Sequence, residues 1–314
     1  MSIIVYGSIA YDQIMDFDDT FDRHILPNQI KKLNVSFLVK EFKETFGGTA
    51  GNIVYNLSLI GLKPTVYGTA GNNFERYRQR FLKMKADISG IKVYPKILTA
   101  TAYIITDKNN NQITGFFPGT MAFRTCLPEV KKGDIAIVAP ANAVEMLDLC
   151  DWFFKKQIFF IFDPGQQIIN FTKRQLKDAI GKASLLIVND YELSLALKIT
   201  GLNKSQLLKL AGTIINTLGP KGSVVDVYEG NKSKCFKIPA IKTLKAKDPT
   251  GAGDAYRAGL IKGLIDYGKL TTFNMPWQKI GRLAGLTAVY AVENYGTQNH
   301  FYTQKQFKKR LSDK

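Results

Sequence analysis

Residues 248–254 read Asp-Pro-Thr-Gly-Ala-Gly-Asp and run directly into AYRAGLIKGLID. Ala258, Ile261 and Ile265 recur at three- and four-residue spacings, so the periodicity predicts a helix beginning at the aspartate that follows the glycines. Backbone amides at a helix N-terminus form an anion site, and flanking glycines let that backbone approach a phosphate closely. Asp254 would lie beside the anion, which pairs a cradle with a base. On these seven residues alone an ordinary capped helix explains the pattern equally well, because Asp, Thr and Gly are common cap residues.

Upstream of this stretch the chain alternates between two periodicities. IAIVA (135–139), IFFIFDPG (158–165), LLIVND (185–190), TIINTLG (213–219) and SVVDVYEG (223–230) are strand-like, with helical segments between most of them. Such alternation implies βαβ units and a mainly parallel sheet covered on both faces. Ligands of these sheets bind outside the carboxyl ends of the strands. Asp12, Asp163, Asn189 and Gly219 fall at or just past those ends.

Closer to the start, IIVY (3–6) reads as a buried first strand ended by Gly7, and 65–70 as another strand. Between them FGGTAGN (46–52) opens a second helix, with Ile53, Leu57 and Ile60 in helical register and Gly61 as its C-terminal cap. This glycine loop has neither the G-x-G-x-x-G of a dinucleotide fold nor the G-K-[ST] of a Walker loop. Two excursions interrupt the main pattern, at about residues 13–45 and 95–120. The first is irregular, with Pro27 and a strand-like NVSFLV at 34–39. The second pairs ATAYIIT with ITGFFP around the turn 107–112, a predicted hairpin. After residue 281 the chain is helical again until Gly296. No internal repeat or linker divides it, so one domain is expected.

Composition narrows the function classes. With 314 residues and 45% hydrophobic content the chain can bury a large core. No apolar run reaches the roughly 18 residues of a membrane span, and the first residues lack a signal-peptide pattern, so no membrane and a cytoplasmic location are expected. Three scattered cysteines suit a reducing compartment. The net charge of +17 raises the question of nucleic acid. The basic residues are scattered, with one cluster at 308–310, and no nucleic-acid-binding signature accompanies them. No nucleic acid partner is expected, and the basic surface suits anionic substrates.

DPTGAGD resembles the D-T-x-G-A-G-D signature of the ribokinase-like, phosphofructokinase-B type carbohydrate kinases. FGGTAGN is similar to that family's G-G-x-x-x-N substrate loop, NDYE at 189–192 to its N-x-x-E motif, and TLGPKG at 217–222 to its T-x-G-x-x-G nucleotide loop. All four come in the family's order and spacing, and the resemblance covers essentially the whole chain. GSIAYD, the stretch HILPNQIKKLNVSFLV and AVENYGTQNHFYT are most similar to bacterial adenosine kinases. The resemblance implies an α/β/α three-layer sandwich, ribokinase-like, with a mainly parallel central sheet, the two excursions forming a small β-lid over a single kinase domain, residues 1–314.

It further implies transfer of the γ-phosphoryl group of ATP to a primary hydroxyl, most readily the 5′-hydroxyl of adenosine. A ribose-type sugar or another nucleoside is the alternative acceptor. A nucleotide-binding regulator without catalysis, or a nucleic-acid-binding protein, stands further off. Asp254 would be the base and the amides of Gly251, Ala252 and Gly253 the anion cradle. A carboxylate so near a helix N-terminus is expected to stay ionised at neutral pH. Asp12, Gly47, Gly48 and Asn52 would hold the acceptor's hydroxyls, with Phe37, Phe116 or Phe117 stacking on a purine. Asn189, Thr217, Gly219, Lys221 and Gly222 would line ATP. Glu192 would reach Mg2+ through its water shell, and a monovalent cation such as K+ is a further expectation. The partners are then ATP and a small nucleoside or sugar, with the chain a monomer or homodimer. Read without the family, Asp12 is a turn aspartate, N-x-x-E a helix start and residues 217–222 a strand-to-strand turn.

Two features depart from the family pattern. Pro249 separates Asp248 from Thr250, and Asp163-Pro164-Gly165 lacks the asparagine and arginine of a D-P-N-x-R segment. The missing basic residue favours an unphosphorylated acceptor over a sugar phosphate. His24 and His300 are too few and too distant for a metal cluster or a triad.

Overall fold

The computed structural model describes residues 1–26, 32–109, 111–268 and 271–312. The expected features at Pro27 and at the Asn110 turn position lie outside the described residues. The chain forms β1 (Ile3–Tyr6), β2 (Ala10–Phe17), β3 (Val39–Gly47), α1 (Thr49–Leu59), β4 (Thr65–Gly71), α2 (Glu75–Lys83) and β5 (Asp87–Tyr94). Next come β6 (Ala100–Thr106), β7 (Gln112–Phe117), β8 (Ile135–Val138), α3 (Ala143–Lys155), β9 (Phe159–Phe162), α4 (Lys173–Lys182) and β10 (Leu185–Asn189). It ends with α5 (Asp190–Thr200), α6 (Lys204–Ala211), β11 (Thr213–Thr217), β12 (Ser223–Glu229), β13 (Lys232–Ile238), α7 (Ala252–Asp266), α8 (Trp277–Val292) and α9 (Gln304–Ser312).

The larger sheet runs β13-β12-β11-β10-β9-β8-β1-β4-β5, parallel from β11 to β5. Side chains alternate across its two buried faces, which explains why IIVY carries no charged residue. Ile3 and Val5 join one buried cluster with α1, α2, α7 and α8, through Ile53, Tyr77, Leu260 and Ile280. Ile4 and Tyr6 join the other with α3 to α6, through Leu149, Ile180, Leu193 and Leu207. The result is the three-layer sandwich expected. At the C-terminus of α1, Gly61 takes φ +85, and Leu62 N donates to Leu57 O at 2.9 Å, the hydrogen bond of a Schellman cap.

β12 departs from the alternating pattern. It is antiparallel to β11, reached through a tight turn at Gly219–Lys221 instead of a helix. SVVDVYE therefore closes an antiparallel edge with β13, because the five residues between β11 and β12 cannot make a parallel crossover.

The two excursions meet in a second sheet of order β3-β2-β6-β7. Its strands begin earlier and run later than the irregular hydrophobicity suggested, at Ala10 and Gly47. NVSFLV is not a strand up to Leu38; pairing starts at Val39, within the charged run VKEFKETFG. Exposed strands on a sheet edge need no apolar alternation, which is why β3 was illegible. Asp12 accordingly lies inside β2, not in a turn after β1. Phe37 packs on Phe17 and Phe21 at ring separations of 4.9 and 5.2 Å, so it belongs to a local aromatic cluster and is taken up there. Among the described residues no helix is long and apolar enough to cross a membrane.

Candidate active site

Gly251 caps α7 in the left-handed region, φ +77, a conformation that favours glycine. The Pro249 carbonyl accepts from Ala252 N at 3.1 Å and closes the turn, so one of the three amides expected to face an anion is already engaged. Asp248 ties the loop down: its Oδ1 accepts from Thr250 N and its Oδ2 from Gly296 N, each at 2.9 Å. Pro249 thus fits the loop without displacing Asp248.

Asp254 lies in the first turn of α7 and meets α1. Asn52 Nδ2 donates to Asp254 Oδ2 at 2.8 Å, joining the helices opened by the two glycine loops. Desolvation lifts the Asp254 carboxyl from its ordinary 3.8 to about 7. Arg257 and the Asn52 hydrogen bond oppose the rise, while the charges of Asp163 and Asp12 add to it. The expectation of a fully ionised carboxylate at neutral pH is corrected, because burial and two nearby acids outweigh the helix end. The outcome is a better proton acceptor at pH 7.

The Asn52 amide is fixed from behind. Gln298 Nε2 donates to Asn52 Oδ1 at 3.0 Å and to the Tyr77 hydroxyl at 2.7 Å, and Tyr77 donates to the Gly47 carbonyl at 2.7 Å. With its oxygen held by Gln298, Asn52 must present its NH2 to Asp254. One N–H then remains for an acceptor hydroxyl, fewer contacts than a free amide would offer. Asn56 Nδ2 donates to the Asn52 carbonyl at 2.9 Å, and the buried His300 ring meets Asn56 Oδ1 at 2.8 Å. His300 is thereby a core support.

Asp12 leans over Gly47, where a Cβ would come within 2.3 Å of its carboxylate. Burial lifts Asp12 from 3.8 to about 6. Gly48 has φ +82, and a Cβ there would meet the Ser8 carbonyl at 2.5 Å, so a side chain is excluded twice over. Strand register separates the two phenylalanines of β7. Asp12 pairs with Ala102 and Ala102 with Phe116, whereas Tyr11 pairs with Thr101 and Thr101 with Phe117. Paired residues share a face, so Phe116 looks out on the Asp12 side and Phe117 on the opposite one. Phe117 is therefore misplaced for an acceptor held by Asp12.

Asn189 and Glu192 form a reciprocal capping box at the start of α5, with Glu192 N donating to Asn189 Oδ1 at 2.8 Å and Asn189 N to Glu192 Oε2 at 2.9 Å. The helix-start reading of N-x-x-E is thus realised. Burial and the nearby Asp163 raise the Glu192 pKa. Among the described residues no three His, Cys, Asp or Glu side chains converge into a metal cage. Glu192 keeps Oε1 clear of the cap. One such oxygen, with water and nucleotide phosphates, is a donor set that fits Mg2+.

Beside the anion loop opens a cavity of about 470 Å³. Thr217, Gly219 and Gly222 line one side, Ala252, Gly253 and Tyr256 another, and Ile241, Ala288 and Val289 supply apolar wall. Asn189 is the strand partner of Thr217. Lys221, exposed at the tip of the turn, is not among the lining residues. Sequence reasoning missed Arg257, Gln298 and the segment 238–247 that walls the cavity. Arg257 was findable from its helical spacing to Asp254; Gln298 carries no local signal.

A family model described as pfkB family carbohydrate kinase matches residues 2–304. A nucleoside kinase of Methanothermobacter thermautotrophicus is 26% identical over 99% of this chain and 95% of its own length. The ligand-free nucleoside kinase of Burkholderia thailandensis superimposes with a TM-score of 0.84 at 34% identity, covering 99% of this chain and 100% of that one. Its complex with inosine gives 0.86 at 32% identity, over 99% and 97%.

Proposed function

This chain belongs to the pfkB family of carbohydrate kinases, ATP-dependent phosphotransferases acting on hydroxyl groups, and from that premise we propose that its acceptor is a nucleoside, adenosine first, phosphorylated at the 5′-hydroxyl. The observation that carries the reading is the 2.8 Å link between Asn52 and Asp254, which brings the Gly47–Gly48 loop and the Gly251–Gly253 loop to one carboxylate. Asp254 takes the proton of the attacking hydroxyl. Asp12 accepts from the ribose diol, the remaining N–H of Asn52 donates to it, and Gly47 and Gly48 leave room for the sugar. Phe116 covers the base from the small sheet, which acts as a lid on a single kinase domain.

On the nucleotide side, the amides of Gly251 and Gly253 hold oxygens of the moving phosphoryl group, and Ala252 joins by sharing its bond to Pro249. Thr217, Gly219 and Gly222 border the phosphates and ribose, the apolar wall of the cavity takes adenine, and Lys221 adds charge at the rim. Glu192, steadied by Asn189, would hold Mg2+ through water. Bound Mg2+ neutralises charge between the phosphates.

Inosine is the second reading, favoured by the complex of the Burkholderia enzyme. ADP release measured with adenosine, inosine, cytidine, ribose and fructose 6-phosphate tests both. Adenosine is expected to give the highest kcat/KM. A higher value with inosine replaces adenosine, and preference for a free sugar overturns the nucleoside assignment.

A further inference from the structure

Behind the anion loop lies a buried ion pair to which the proposed reaction gives no role. Asp163, just past β9, and Arg257, on α7, have side-chain exposures of 1% and 9%. Arg257 donates Nε and Nη2 to the two carboxylate oxygens of Asp163, the second at 2.6 Å. This bidentate geometry fixes the plane of the guanidinium. Buried ion pairs are weak sources of stability, since apolar residues of similar volume often do as well.

Asp163 engages two of the three nitrogens. The third, Nη1, lies against the anion loop, where a Cβ on Gly253 would be only 2.8 Å from it. Gly253 and Asp254 precede Arg257 by four and three residues, so all three share one face of the first turns of α7. Three acids surround this one cation: the charges of Asp163, Asp254 and Glu192 all act on it. A site so rich in carboxylates would repel a nucleotide without a cation at its centre.

We propose that Arg257 is a further catalytic residue: Asp163 holds its guanidinium so that Nη1 donates to an oxygen of the phosphoryl group passing Gly253. The inference rests on the phosphotransfer reading above. In that step the bond from the acceptor oxygen to the γ-phosphorus forms, and the bond to the β,γ-bridging oxygen breaks. ADP leaves with that electron pair, and the acceptor's proton passes to Asp254. Arg257 exchanges no proton; it stabilises charge on the equatorial oxygens. Asp163 is its positioning residue, and the bare Cα of Gly253 gives Nη1 its place.

The test uses the full chain with MgATP and adenosine, comparing wild type with Arg257→Lys, Arg257→Gln and the double variant Arg257→Gln/Asp163→Asn. The double variant removes both buried charges, so its thermal melt is expected to stay near wild type. Its kcat is expected to fall about 10²- to 10³-fold, the usual loss for one preorganised donor, with the adenosine KM nearly unchanged. Arg257→Lys keeps a charge but cannot both clasp Asp163 and reach Gly253, so kcat should fall at least tenfold in a folded protein. A folded double variant with kcat within threefold of wild type overturns the assignment, as does a loss confined to KM. If the double variant does not fold, unchanged kcat in Arg257→Lys overturns it. Wild type inactive on every nucleoside would instead sink the functional reading, whereas an active wild type beside unimpaired variants sinks only the role of Arg257.

Discussion

Replacing Asp254 by Asn should make the protein nearly inactive and more stable at the same time. The carboxyl titrates at about 7 in the folded chain and at its ordinary 3.8 when unfolded. The folded state therefore binds more protons between these values, and stability falls as pH rises through that window. Above pH 7 the accumulated cost is about 4 kcal/mol, taking about 1.4 kcal/mol for each pH unit between the two values. Asparagine keeps the shape and can still accept from Asn52, but carries no charge to desolvate. At pH 8 the variant should melt several degrees higher than wild type, a gain that vanishes near pH 4. Its turnover should drop about 10²- to 10⁴-fold, the range for a lost general base. Wild-type kcat/KM should in turn rise about tenfold from pH 6 to pH 8, following ionisation of one group near pH 7. Melting curves at pH 4, 6 and 8 beside ADP release over the same range give all three quantities. A variant less stable than wild type at pH 8, or one keeping a tenth of its turnover, would refute the reasoning.

Four further substitutions probe the surroundings. Asp12→Asn should raise the nucleoside KM about 10- to 100-fold while leaving the KM for ATP nearly constant, since hydrogen bonds to a charged group contribute about 1.5–3 kcal/mol; equal losses in both would remove Asp12 from the acceptor site. Gln298→Glu cannot donate to Asn52 Oδ1, so Asn52 should turn its oxygen toward Asp254 and move the midpoint of the pH–rate profile upward; an unmoved midpoint would show that Gln298 does not orient Asn52. Phe116→Ala should raise the nucleoside KM several-fold and Phe117→Ala should not, because an aromatic contact contributes about 0.5–1.5 kcal/mol beyond its buried area. Kinetics showing the reverse order would contradict the face assigned by register.

What could be read before folding was local. The two-residue and 3.6-residue periodicities fixed β1, β4, β8 to β11, α1 and α7, because each depends only on neighbours within a few positions. The glycines of 47–48 and 251–253 announced their loops, since positive φ and close approach leave few other residues possible. Strands β3, β5 and β13 escaped because exposed edges carry charge where alternation was sought.

The site itself divides along the same line. Asp254, Asn52 and Asp12 were legible as residue types in motifs, but their properties were not. The Asp254 pKa near 7 comes from burial by α1 and from Asp12 and Asp163, residues more than 90 positions away. Arg257 acquired a role only when β9 carried Asp163 to it, and Gln298 only when the chain after α8 returned to α1. As strand neighbours Phe116 and Phe117 must face opposite ways, and only pairing with β6 decides which of them shares the Asp12 side. The sequence by itself determined the buried, periodic strands, α1, α7 and the two glycine loops, because those follow from local sterics. The tertiary structure alone decided proton affinity, donor direction and cavity shape, because desolvation and charge depend on what distant segments bring alongside.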